Sequence, residues 1–181
     1  MSTSLPVDRF RSEADALGET FNLVKSAVGT PFSVRTGVIR TTDLQRFAVA
    51  SDDYNPIYFD DELAATSGHD GLAAPPLYLS SVLGWEAGPP ECDLRQDGIG
   101  NELARLPIDG VGLMGVGQDI EFLGAVRAGM QFSVVSTLDD VEIKSGRSGM
   151  FLLLVIAREF KNEEGDVVLR CRESYVGRAY G

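Results

Sequence analysis

Four stretches in the second half of the chain alternate apolar and polar residues, as a strand with one buried face requires. In the shortest, 116–122, Val116, Gln118, Ile120 and Phe122 fall on one side and Gly117, Asp119 and Glu121 on the other. Three longer runs follow, at about 131–144, 150–161 and 167–177, divided by the turn sequences SGRSG and NEEGD. Long strands joined by tight turns predict an antiparallel meander with one face to cover. The first half is punctuated differently. PFSVRTGVI alternates weakly and predicts a short strand ending at Arg40. In TTDLQRFAVAS, Leu44, Phe47 and Ala48 share a helical face, and Thr42 with Gln45 three residues on has the form of a capping box. This predicts a helix over 42–51, stopped by Asp52-Asp53 and Asn55-Pro56. A short helix over 60–66, acidic in its first turn, should end at Gly68.

After GLAAPP comes the most apolar helical segment, 77–85, in which Tyr78 and Trp85 are expected to pack under the sheet. It is the strongly apolar helix available to cover the meander, so the pattern predicts an α+β domain in which a curved antiparallel sheet wraps around a central α-helix. The stretch 91–112, rich in Gly, Pro and charge, predicts a long loop or insertion. Residues 1–30 space Phe10, Leu17, Phe21 and Val24 among charges and are expected to be an N-terminal extension, helical and packed on the domain. The remainder, 31–181, reads as one domain.

Composition narrows the function. Sixteen Lys and Arg against 27 Asp and Glu give a net charge of -11, which repels phosphate backbones and anionic lipid heads. Nucleic acid and membrane are therefore not expected as partners. The longest apolar run, 150–157, is too short to span a bilayer, and the first ten residues lack the apolar stretch of a signal peptide. Two cysteines (Cys92 and Cys171) and one histidine (His69) offer no metal-ligand spacing. A reduced, cytoplasmic setting is the expectation.

The segment RFAVASDDYNPIYFDDELAATSGHDGLAAPP, with the strands ending in ESYVGR, resembles the MaoC-like (R)-specific enoyl-thioester hydratases and dehydratases. The resemblance covers about 38–178 and implies the hot-dog fold. Hydration of an enoyl thioester adds water at Cβ and a proton at Cα while negative charge gathers on the thioester oxygen. It calls for a base, an acid and N–H donors at that oxygen. In catalytic relatives an aspartate and a histidine hold the water, and a glycine amide at the start of the central helix serves the oxygen.

Carried over by position, the aspartate falls on Asp53, the asparagine and proline on Asn55 and Pro56, the histidine on Tyr58, and the glycine on Pro76. A shift back lands on Pro75; a shift forward, to Leu77, restores a donor. Tyrosine, with a pKa of about 10 against about 6.5 for histidine, is a poor base at neutral pH, and proline has no N–H. This departure resembles the N-terminal, non-catalytic hot dog of double or heteromeric dehydratases, whose other half carries the Asp/His pair.

The resemblance thus implies a subunit of an (R)-specific enoyl-CoA or enoyl-carrier hydratase. Asn55, Pro56, Ala74, Pro75 and Pro76 would line the acyl channel and a second hot-dog protein would complete the site. No cofactor is expected, the substrate being an acyl thioester of coenzyme A or acyl carrier protein. Three alternatives stay open. One is a self-sufficient homodimeric hydratase in which Asp53 works with Tyr58 or His69. Another is an acyl-thioester binding module without chemistry, and the last a thioesterase. Asp53 would also serve simply as a turn cap. Arg95, Arg105, Arg127, Lys144 and Arg147 are candidates for a local basic patch toward an anionic carrier.

Overall fold

The structure, a computed structural model, describes residues 13–81, 95–99 and 102–180. Helix α1 (Glu13–Lys25) precedes strand β1 (Pro31–Val38), helix α2 (Thr41–Ala50), a 3-10 turn (Pro56–Tyr58), helix α3 (Asp61–Thr66) and the helical turn α4 (Tyr78–Ser81). A second 3-10 turn (Leu103–Arg105) leads into β2 (Val111–Phe122), β3 (Gln131–Gly146), β4 (Gly149–Lys161) and β5 (Val167–Ala179). The rest of the expected central helix, with Trp85, and Cys92 lie outside the described residues.

The five strands form one antiparallel sheet in the order β1-β3-β4-β5-β2. The three long runs do form a meander. The strand before them does not join it beside β3: β2 pairs with β5 at the far edge, through the register Gln118↔Glu173 and Ile120↔Cys171. It begins at Val111, so the expected loop over 91–112 stops two residues earlier than its composition suggests. A bulge between Gly115 and Gly117 keeps Gln118 and Ile120 on the inner face.

Among the described residues, α1, α2 and α4 cover one face of the sheet. Near β1, the α2 residues Leu44 and Ala48 pack with Tyr58, Tyr78 and Leu79 on Phe132, Val134, Phe160 and Leu169. Toward the other end, Leu17 and Val24 of α1 pack with Ile108 on Leu138, Leu152, Leu154 and Ile156. The amphipathic spacing of α1 thus packs this helix onto the sheet. On the opposite face, Val135, Thr137, Ala157 and flanking charged residues form an open groove of about 460 Å³.

One local expectation fails. Helix α2 begins at Thr41 with Arg40 in the N-cap position and no side-chain capping bond, so the Thr42–Gln45 capping box does not form. Thr42 lies inside the helix, and the Gln45 amide donates instead to the carbonyl of Tyr58 at 3.3 Å. A tertiary carbonyl has taken the place of the local N–H as the partner of Gln45.

Candidate functional site

The turn after α2 is built by its own side chains. Asp52 takes a left-handed conformation (φ 56°), which ends the helix, and the Asp53 amide donates back to Ala48 O at 3.0 Å. One Asp53 carboxylate oxygen accepts the Asn55 amide at 3.3 Å, an Asx turn. Asn55 Oδ1 in turn accepts the Ile57 amide at 3.3 Å and caps the 3-10 turn that Pro56 opens. That turn carries Tyr58 inward, where it is buried in the core beside α2 and α4. Its hydroxyl donates to the other Asp53 oxygen at 3.1 Å.

Asp53 and Tyr58 are therefore a bonded pair. Burial, then the hydrogen bond to Asp53 and its negative charge, push the Tyr58 hydroxyl above its ordinary value of 10.0. At neutral pH the phenol is a proton donor to the carboxylate and not a base.

The loop entering α4 lies against this turn. Ala73 donates to Ile57 O at 3.1 Å and Ala74 to Val126 O at 2.8 Å, which fixes Pro75 and Pro76 at the head of the helical turn. Neither proline carries an N–H, and the Tyr78 amide donates to Pro75 O at 3.0 Å. Leu77, half exposed, is the first residue after the prolines with an amide proton. The structure thus brings Asp53, Asn55, Pro56 and Tyr58 into one turn and sets the Ala74–Pro76 entry beside it through the Ala73–Ile57 bond. His69 sits in the loop after α3, its amide bonded to Ala64 O at 3.0 Å. No side-chain bond joins it to Asp53 among the described residues.

Three of the candidates for a basic patch are engaged by neighbouring groups. Arg95 is buried against Asp97 at 3.0 Å and also donates to Val111 O at 2.6 Å, a structural role that removes it from the patch. Lys144 pairs with Glu142 at 2.8 Å. Arg127 pairs with exposed Asp70 at 3.3 Å and lies near the loop entering α4, where it bridges Ala73.

A second polar constellation was missed by the sequence reading. On the inner face, Arg158 is fully buried between two buried carboxylates, bonded to Glu173 and 3.5 Å from Glu102. Ser136 donates to Glu102, Tyr175 to Glu173 at 2.7 Å, and Gln118 to both Glu173 (2.9 Å) and Cys171 Sγ (3.1 Å). Burial alone would lower the Arg158 pKa, but the charges of Glu173 and Glu102 raise it, so the guanidinium stays charged. Burial and neighbouring Glu173 push the Tyr175 hydroxyl up to about 12 and the Cys171 thiol up to about 11. Cys171 is an inert thiol at neutral pH, as a buried cysteine is expected to be. The signal was present: Arg158 lies between Ile156 and Phe160 at inward positions of a strong alternation, and Glu173 between Cys171 and Tyr175. Among the described residues, no group of His, Cys, Asp and Glu is arranged to hold a metal ion.

The chain has counterparts among known proteins. Residues 26–171 match the model of the family described as "FAS1-like, dehydratase domain region". The chain belongs to this family. It is also 26% identical over 136 residues to a UPF0336 protein of Streptomyces avermitilis, a match covering 75% of this chain and 81% of that protein.

Among solved structures, the ChsH1-ChsH2 complex of Mycobacterium tuberculosis superposes with a TM-score of 0.69 at 21% identity, over 93% of this chain and 94% of that one. The HadBC (3R-hydroxyacyl-ACP dehydratase) complex from the same organism gives 0.62 at 19% identity, over 80% and 95%. At these identities the structures show the fold. It is the hot dog, in a dehydratase family whose structural neighbours include complexes of two different chains. Among the described residues, no helix is long and apolar enough to cross a membrane.

Proposed function

We propose that this chain is a subunit of an (R)-specific enoyl-thioester hydratase, or 3-hydroxyacyl-thioester dehydratase in the reverse direction. It lines the acyl channel with the Asn55–Pro56 turn and the Ala74–Pro76 entry, while a second hot-dog chain supplies the Asp/His pair. The substrate is an acyl thioester of coenzyme A or acyl carrier protein. The chemistry draws on acid, base and hydrogen-bond donors alone.

The observation that carries this reading is the Asp53–Tyr58 hydrogen bond at 3.1 Å. Where catalytic relatives place a histidine that shuttles a proton, this chain places a phenol held protonated by burial and by Asp53. Two prolines at the head of α4 further reduce the donors available to a thioester oxygen. The complexes of unlike chains among the structural neighbours support a heteromeric assembly.

The test is to purify the chain alone and co-expressed with a hot-dog protein that retains the Asp/His pair, and to follow enoyl-CoA hydration. Turnover only in the co-expressed preparation is expected; full activity of the single chain sinks the reading. The alternative, a homodimeric hydratase running on Asp53 with Tyr58 or His69, predicts single-chain turnover that Asp53→Asn abolishes.

A further inference from the structure

An acyl thioester of coenzyme A or a carrier protein brings a phosphate with it, at the far end of the pantetheine arm. A chain with a net charge of -11 repels that phosphate unless a cation stands where the arm leaves the acyl channel. Several of the described cations are committed elsewhere. Arg95 and Arg158 are buried against acids, and Arg170 and Arg172 are paired with acids across the strands.

Arg127 is placed differently. It lies in the loop between β2 and β3, and the backbone on both sides of it is bonded to the segment leading into α4. Ala74 donates to Val126 O at 2.8 Å and Ala128 to Leu72 O at 2.9 Å. Those bonds put Arg127 opposite Ala73, one residue before the Ala74–Pro76 entry. Its side chain runs back along the same segment, away from α4: a Cβ added at Gly71 would lie 3.8 Å from Arg127 Cδ, and Nη2 is 3.3 Å from Asp70 Oδ2. Asp70 precedes Ala74 by four residues, at most about 14 Å of extended chain. A pantetheine arm covers that distance.

The backbone of Arg127 is held firmly, but the bonds of its guanidinium are weak. Asp70 is 96% exposed and the Arg127 side chain 37%, so their ion pair sits in water, where it is screened and readily exchanged. The other contact, from Nη1 to the Ala128 carbonyl, is long at 3.4 Å. A phosphate can take both arms of the fork in place of one exposed carboxylate oxygen. We infer that Arg127 receives the phosphate of the thioester's carrier, with Asp70 as the counter-ion it gives up on binding. This rests on the proposed acyl channel and adds to it the group that reads the carrier.

The test reads binding of saturated thioesters, which cannot be hydrated: butyryl-CoA, butyryl-phosphopantetheine and butyryl-pantetheine. Each is titrated calorimetrically into the chain alone and into the chain co-expressed with an Asp/His-bearing hot dog. In the preparation that binds, Arg127→Gln is expected to weaken the phosphate-bearing ligands about tenfold and to leave butyryl-pantetheine within about twofold, with the gap closing in high salt. Asp70→Asn removes the competing carboxylate and is expected to tighten the phosphate-bearing ligands about threefold. Arg127→Lys, which keeps the charge and loses the fork, should fall between wild type and Arg127→Gln. A loss confined to butyryl-CoA assigns the contact to the nucleotide phosphates, and a loss shared with butyryl-phosphopantetheine assigns it to the phosphate at the end of the arm; either supports the inference. Should Arg127→Gln fold poorly, the Asp70→Asn and Arg127→Lys arms carry the test.

Equal weakening of all three ligands by Arg127→Gln, no weakening of any, weaker binding on Asp70→Asn, or no binding of a phosphate-bearing thioester by either preparation overturns the inference. These measurements need no turnover, so they fail or succeed separately from the hydratase reading, which single-chain activity would sink.

Discussion

The Asp53–Tyr58 turn and the Glu102–Arg158–Glu173 cluster both join an acid to an unusual partner, and they differ in how each is held. The turn is local: its bonds span two to five residues, Asp53 is half exposed and Asn55 is exposed. The cluster draws on β2, β3, β4, β5 and the residue before the Leu103–Arg105 turn, and its charges are enclosed. On the proposed reading, the turn keeps the shape of an active site without its base. The cluster matches no motif, yet the fold depends on it, because a buried charge without a counter-charge is far more expensive than an exposed one. Likeness to a catalytic motif and structural indispensability sit in different places in this molecule.

The largest effect should come from breaking the cluster. Arg158→Met leaves Glu102 and Glu173 buried without a cation and is expected to cost about 3–5 kcal/mol in urea unfolding. Adding Glu102→Gln and Glu173→Gln to that variant should recover most of the loss, since the charges then leave together. A loss unchanged in the triple variant would mean that packing and not charge is at stake.

Asp97 is an intermediate case, a buried acid tied to near and distant groups. Burial opposes its ionisation, but hydrogen bonds from Arg95, Leu113 and Ile99 outweigh it and hold the carboxyl below its ordinary value of 3.8. A lowered folded-state pKa contributes stability that is present above 3.8 and lost as pH falls through the folded value. Asp97→Asn should therefore destabilise by about 1.5–3 kcal/mol at pH 7 and by less near pH 3. Equal losses at both pH values would show that the charge does not matter.

The smallest effect belongs to the turn. Tyr58→Phe removes one hydrogen bond to a half-exposed acid and should lower stability by about 1 kcal/mol. Assembled with a partner, the same variant should keep hydration within a few-fold of wild type. A fall of about a hundredfold or more, the scale of a lost general acid or base, would mean that the hydroxyl takes part in the chemistry.

The meander was legible because SGRSG and NEEGD mark its turns and the alternation between them is strong. The position of β2 was not, since alternation identifies a strand without naming its neighbour, and β2 pairs with residues some fifty positions away. The shape of the Asp53 turn was readable for the opposite reason: Asp, Asn and Pro build it from within. That Tyr58 would donate to Asp53, and that Gln45 would leave its own helix for Tyr58 O, required the tertiary fold. Arg158 and Glu173 were hidden in plain alternation, each at an inward position where an apolar residue is the rule.

The most direct test of the central claim is hydration of an enoyl-CoA by the purified chain alone, by the chain with an Asp/His-bearing hot dog, and by Asp53→Asn forms of both. The account predicts no turnover above background for the single chain, restored turnover with the partner, and little change on Asp53→Asn in the assembled pair. Robust turnover by the single chain, abolished by Asp53→Asn, would contradict it and return the catalytic centre to the Asp53–Tyr58 turn.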